Sequence, residues 1–183
     1  MPIDKLSDFV NGPILIEGPI FKDSRGEFRT VYAESLALVS YQEIPKFSQT
    51  NLIRGEFGAL RGFHAGTIRS NHWKAVSCIQ GEVLEAFLDL RLESTTFGQV
   101  RTYRASGSRN EMIIIPPGFG HGMQSITPNT ISVYSTNVEY KDQEEIDVNP
   151  LSQEYSHFWI NPLIISERDQ KSKTVSELIR DLE

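Results

Sequence analysis

Short alternating runs of apolar and polar residues occupy most of the chain from residue 14 to residue 137, and Gly, Pro, Asn and Ser cut them apart. That spacing predicts the strands of an all-β sandwich or barrel. The expected strands are 14–17, 27–32, 47–53, 59–64, 74–80, 82–90, 98–104, 112–115, 122–126 and 130–137. Asp23-Ser24-Arg25-Gly26 suits a tight turn and Gln80-Gly81 a hairpin, while Pro116-Pro117-Gly118 forces a loop because its prolines lack a backbone donor. Clear helical periodicity waits for residues 174–182, where Val175, Leu178, Ile179 and Leu182 share one face. Residues 34–39 read as a short connecting helix, and 140–169 as an irregular tail wrapped over the barrel.

Strand parity separates the faces. Across 130–137, Ser132, Tyr134 and Thr136 fall together, which puts Tyr134 on the polar side, and in a small barrel with a working lumen that side can be the inside. Across 59–64, strict alternation groups His64 with Leu60 and Gly62 and turns Arg61 the other way. His64 and Arg61 can enter one site only if a bulge or a strand end intervenes.

Composition narrows the classes. A length of 183 residues with 39% hydrophobic content fits one domain around one core, taken here as 1–183 with a barrel over about 13–140 and a wrapping tail and helix over 141–183. A net charge of −6 argues against a nucleic-acid surface, yet leaves room for a small anion held by a few focused arginines. No apolar stretch resembles a signal peptide or a membrane span, so the expected location is cytoplasmic. The single cysteine, Cys78, lies in an apolar run and reads as a small buried hydrophobe.

Chemistry concentrates at histidine, of which the chain has four. Two of them close punctuated segments, Arg61-Gly62-Phe63-His64 and Pro116-Pro117-Gly118-Phe119-Gly120-His121, and His72 and Lys74 follow the first. Pro116-x-Gly118-x-x-His121 matches the second signature of the cupins, a double-stranded β-barrel superfamily. The first signature needs His-x-His and a following Glu, whereas His64 precedes Ala65-Gly66 and His72 precedes Trp73-Lys74. The three-histidine metal cluster is therefore not assembled, and neither a metal nor another cofactor is expected.

Phe21-x-Asp23-x-Arg25-Gly26-x-Phe28, Phe47-x-Gln49-x-Asn51, Leu60-Arg61-Gly62-Phe63-His64, Lys74-x-Val76, Gly81-Glu82-Val83, Asp89-Leu90-Arg91-x-x-Ser94-x-Thr96-Phe97-Gly98, Ile115-Pro116-x-Gly118-Phe119-x-His121-Gly122 and Ile165-Ser166-x-x-Asp169 occur in that order. Together they resemble the dTDP-4-dehydrorhamnose 3,5-epimerase family over residues from about 13 to 170. The resemblance implies a metal-free cupin-type double-stranded β-helix (a jelly-roll barrel) with short C-terminal helices. It also implies a homodimer formed by strand exchange, acting on a nucleoside-diphosphate 4-keto-6-deoxy sugar in the service of polysaccharide or glycoside assembly.

A ketone at C4 acidifies the hydrogens at C3 and C5, so inversion needs a proton taken from one face and returned to the other. By resemblance His64 is the base, Asp169 its orienting partner, Tyr134 the opposing acid and Lys74 the cation beside the enolate oxygen. Arg25 and Arg61 resemble diphosphate ligands, and Phe28 the ring that stacks on the nucleotide base. Gln49, Asn51 and His121 resemble further pocket contacts, as does Tyr140. Arg25 and Phe28 would come from the neighbouring subunit. Ala65-Gly66 stands where the family usually has an aromatic and a glutamine, and Thr30 where it commonly has Glu. These departures leave open a C3-only or C5-only epimerase and a CDP- or GDP-linked substrate, and a non-catalytic sugar-binding cupin stands as the competing class.

Overall fold

A computed structural model describes residues 9–33, 35, 44–67, 70–139 and 144–181. Its strands are β1 (Ile14–Glu17), β2 (Ile20–Asp23), β3 (Gly26–Arg29), β4 (Gln49–Gly55), β5 (Ala59–Gly66), β6 (Lys74–Gln80), β7 (Glu82–Asp89), β8 (Val100–Ser106), β9 (Glu111–Ile115), β10 (Phe119–Ser125), β11 (Thr130–Thr136), β12 (Glu145–Asp147) and β13 (Ile164–Ile165). Among the described residues a 3-10 turn covers Ser156–Phe158, and two short helices follow, α1 (Glu167–Gln170) and α2 (Val175–Arg180). One sheet has the order β1-β9-β6-β11-β4; the other has β12-β5-β10-β7-β8, with β13 added parallel to β5. The two sheets enclose one apolar interior, which is the jelly-roll arrangement expected.

Three apolar layers explain why some strands read as unbroken hydrophobic runs. Between the sheets lie Val76, Cys78, Val83, Phe87, Tyr103, Ile113, Ile115, Phe119 and Met123. The outer face of the larger sheet is covered in turn: Leu60, Phe63, Ala86, Leu88 and Val100 pack under Val148, Tyr155 and Trp159 from the tail. The outer face of the smaller sheet carries Ala75, Met112 and Ile114 beneath Ile44. A strand buried on both sides has no solvent face to mark with polar residues, so β9 and much of β7 lose the alternation of a half-exposed strand.

The tail is more ordered than the pattern predicts. β12 pairs with the end of β5, placing Asp147 opposite His64. Trp159 donates its indole N–H to the Pro150 carbonyl at 2.9 Å, and the Gln124 amide grips both the carbonyl and the N–H of Ile160. Strands of three and two residues are too short to show a period. In α2 the Thr174 hydroxyl and the Glu177 carboxylate cap each other's backbone, and Val175 and Leu178 face the outer layer. Of the helix expected at 34–39 only residue 35, which is helical, is described, and the last residue of the apolar face, Leu182, lies outside the described residues.

β2 and β3 form a hairpin paired only with itself among the described strands. Phe21 and Phe28 are opposite each other on it and expose 61% and 68% of their surface. Its base is fixed by Arg29, whose guanidinium donates to the carbonyls of Gly107, Arg109 and Ile79 at 2.7, 3.0 and 2.9 Å. A rigidly rooted hairpin with two bare aromatic rings has the composition of a surface built to be covered.

The Asp89 motif is structural. Its fully buried carboxylate accepts from the Arg91 guanidinium at 2.9 and 2.7 Å, from Ser94 at 2.6 Å and from Thr96 at 2.7 Å, tying down the loop after β7. Those bonds outweigh burial and hold Asp89 below the ordinary carboxylate range. Arg91 in turn lies over Phe119, and Gly118 lacks the Cβ that would meet Arg91 Cγ at 2.4 Å, so β10 is delivered in register toward the lumen. Among the described residues no helix is long and apolar enough to cross a membrane.

Candidate active site

A bulge in β5 decides which side chains share the lumen. His121 of β10 pairs with His64 and Met123 pairs with Arg61, so Gly62 and Phe63 together oppose Gly122 alone. Gly62 has φ 109°, and a Cβ there would lie 2.4 Å from the His121 carbonyl oxygen, a position that only glycine fills without strain. After the extra residue, alternation resumes in the other phase. Leu60, Phe63 and Ala65 face the outer layer, while Arg61 and His64 line the cleft. The grouping of His64 with Leu60 by strict alternation is therefore replaced by His64 with Arg61.

The cleft, about 320 Å³, is lined by Asn51, Arg61, His64, Lys74, His121 and Tyr134 among the residues singled out by sequence. His64 comes from β5 of the larger sheet and Tyr134 from β11 of the smaller one, so imidazole and phenol project from opposite walls. Tyr134 also packs against the apolar interior, which fixes the ring while its edge reaches the cleft. Gln49 stands beside the cleft, its amide donating to Asn51 Oδ1 at 2.8 Å.

Behind His64 sits Asp169, presented by the one-turn helix α1 with Ser166 as its cap. His64 Nε2 lies 2.7 Å from Asp169 Oδ1. Burial works against the Asp169 charge, but the bonds from His64, Ser166 and the Gly62 backbone prevail and hold this carboxyl below its ordinary range. An ionised acceptor fixes the proton on Nε2, which leaves Nδ1 as the nitrogen able to take another. Lys74, buried at the cleft edge, donates to the His64 carbonyl at 3.2 Å. Burial lowers its pKa, and the carboxylates of Glu145 and Asp147 oppose that fall.

Two donors in this cleft are unused. Arg61 Nη1 and Asn51 Nδ2 are buried without a hydrogen-bond partner among the described residues. Buried polar groups of native proteins are normally hydrogen-bonded, by protein, water or ligand. His121 contributes differently: its Nε2 meets Glu85 Oε2 at 2.7 Å and its ring stacks on Phe87.

His72 is separate, paired with Thr136 at 2.7 Å and held neutral, its pKa lowered to about 4 first by burial and then by Lys74. Burial pushes the Cys78 thiol up to about 11, in keeping with a packing role.

Arg25 and Phe28, on the exposed hairpin, do not enter this chain's own cleft. Tyr140 lies outside the described residues. The site also holds groups the sequence reading passed over: Glu145, Asp147 and Arg168 from the tail, and Glu85 from β7. Glu85 was legible as a lone charge between Val83 and Phe87 on the inward face, all three fully buried. Nothing marks the tail residues except that Arg168 adjoins Asp169.

Comparison with known proteins gives a consistent picture. A family model described as dTDP-4-dehydrorhamnose 3,5-epimerase matches residues 8–177. A protein of that name from Streptomyces griseus is 29% identical over 174 residues, covering 93% of this chain and 86% of its own length. A dTDP-4-dehydro-6-deoxyglucose 3-epimerase from Streptomyces bikiniensis is 30% identical over 174 residues, covering 90% of this chain and 88% of the relative. Among solved structures, the dTDP-6-deoxy-D-glucose-3,5-epimerase of Legionella pneumophila in complex with dTDP-4-keto-L-rhamnose matches with a TM-score of 0.84 at 26% identity, covering 94% of this chain and 93% of that one.

Proposed function

The chain belongs to the dTDP-4-dehydrorhamnose 3,5-epimerase family, and from that membership we propose that it inverts carbon centres next to the ketone of a dTDP-linked 4-keto-6-deoxy sugar. The observation that carries this reading is the placement of His64 and Tyr134 on opposite walls of one cleft with Lys74 at its edge. A binding module has no use for opposed proton carriers; an epimerase needs both.

In the proposed reaction His64 Nδ1 takes the proton from C5 or C3. The C–H electron pair becomes a C=C bond to C4, and the carbonyl pair moves onto oxygen as an enolate. The Lys74 ammonium, poor in water and fixed before the reaction starts, stabilises that oxygen more than it does the ground-state ketone. Tyr134 then gives its phenolic proton to the opposite face, the phenolate recovers a proton from solvent, and the His64 imidazolium releases its own to solvent. Asp169 keeps the imidazole in the right tautomer and stabilises the imidazolium. The unsatisfied donors of Arg61 and Asn51 suit diphosphate or sugar oxygens, and His121 with Gln49 completes that wall.

The direct test is incubation with dTDP-4-keto-6-deoxyglucose in heavy water, reading the label by NMR. Deuterium at C3 and C5 supports double inversion, and label at one carbon alone identifies a single-centre enzyme. Absence of label at both carbons rejects the activity. In the same assay Tyr134→Phe should still release the substrate proton while inverted product falls by about 10²-fold. An unchanged product ratio would transfer the acid role to another group.

The whole chain acts as one domain in this reading, in the cytoplasm, where the lone reduced Cys78 and a nucleotide-linked substrate both belong. The bare hairpin supports a homodimer in which β2 and β3 extend across the neighbouring subunit and bring Arg25 and Phe28 to its cleft, with Tyr140 a further contact. Mixed and re-annealed Arg25→Ala and His64→Ala chains should then recover activity that neither has alone, since one cleft of the hybrid holds two intact residues. No recovery, with hybrids demonstrated by mass, would place Arg25 elsewhere.

A further inference from the structure

The tail brings more charge to His64 than a base and its partner require. Asp147, the cross-strand neighbour of His64, has its Oδ1 3.8 Å from His64 Nε2, beyond the 2.7 Å of Asp169. Two strand residues before it, Glu145 faces the same cleft as Lys74. Arg168 binds both: Nε to Asp147 Oδ2 at 2.7 Å, Nη2 to Asp147 Oδ1 at 2.8 Å and Nη2 to Glu145 Oε2 at 2.7 Å. The side chains of Glu145 and Asp147 are only 16% and 21% exposed, against 49% for Arg168, so the guanidinium closes over the carboxylates from the solvent side.

We infer that Arg168 is a positioning residue that sets the working pH of the site, holding Asp147 against the base and Glu145 beside the cation while cancelling part of their charge. The inference rests on His64 as base and Lys74 as cation. Lys74 and Arg168 face three carboxylates, Glu145, Asp147 and Asp169, which leaves one unit of negative charge around a neutral His64. Taking the substrate proton makes the imidazolium, and the cluster becomes neutral as the enolate forms beside it. Further groups facing this centre are Arg61 on β5, His121 with Glu85 on β10 and β7, Tyr134 on β11, and His72 on the approach to β6. Arg168 hydrogen-bonds to both Asp147 and Glu145.

Removing the guanidinium leaves both carboxylates uncompensated, which favours the protonated form of His64 and of Lys74 alike. The bell-shaped dependence of kcat/KM on pH should therefore slide as a whole. In Arg168→Gln both limbs move to higher pH by about one unit, the size expected of a unit charge at contact distance in a partly solvated cleft. Asp147→Asn moves the acid limb the other way, the double variant returns it to near the parental position, and Arg168→Lys keeps both limbs in place. A role in folding alone would change the height of the curve and not its position.

The same shift is read without substrate by following the His64 ring signals by NMR against pH in the full chain, assigned with His64→Asn. Upward movement in Arg168→Gln and downward movement in Asp147→Asn support the inference. Ring titrations that coincide with the parent in both variants overturn it, and the near-isosteric Asp147→Asn carries the test if Arg168→Gln does not fold. Failure of the parent to turn over dTDP-4-keto-6-deoxyglucose would reject the epimerase reading while the ring titration still reports on the charge arrangement.

Discussion

His64→Ala should lower kcat/KM on dTDP-4-keto-6-deoxyglucose by about 10³-fold and abolish solvent-deuterium uptake at C3 and C5 together. The effect reaches both carbons because one imidazole, with one Asp169 behind it, faces the cleft from β5. The loss arises at the proton transfer, so affinity for dTDP should change little. The side chain is part-exposed at 24%, and its removal opens the cleft rather than the apolar layers, so thermal melting should stay near the parent. Exchange persisting at the parental rate at either carbon would remove His64 from the role of base. Loss at one carbon alone would mean that a second base serves the other, and His121, with Glu85 behind it, would be the first group to test.

Lys74→Met should give the next largest loss, a fall in kcat of about 10²- to 10³-fold with a much smaller change in KM. In the proposed reaction the ketone oxygen carries little charge until the proton leaves, and the ammonium repays its burial only then. Methionine keeps most of the stem volume, and deleting a charge that burial disfavours does not threaten folding. Equal losses in kcat and affinity would make Lys74 a ground-state ligand, and the enolate would need another cation.

Much of this architecture was readable from residue order, and the misses have physical causes. β1 and β6 begin and end where their apolar runs do, and Tyr134 lies on the lumen side that its parity predicted. β2 was missed because Ile20-Phe21-Lys22-Asp23 is stabilised by a turn and one partner strand and buries almost nothing within the chain, so it carries no period. The bulge that brings His64 and Arg61 into one site was required by strict alternation but could not be located from it, because it depends on the positive φ of Gly62. The candidate site divided along the same line. His64, Lys74 and Arg61 sit in motifs with fixed spacing, whereas Glu145 and Asp147 lie on a three-residue strand whose place is set by β5 and by an arginine far along the chain.

The distance in sequence between His64, the proposed base, and Asp169, 105 residues, has a consequence for the living cell. Arg168 and Asp169 are synthesised after every described strand of both large sheets. A message cut short, or a protease trimming the C-terminal end ahead of Ser166, would yield a polypeptide that antibodies still count and that has no fixed tautomer with which to begin catalysis. Protein abundance and enzyme output would then part company, and intact mass would be the quantity that predicts flux.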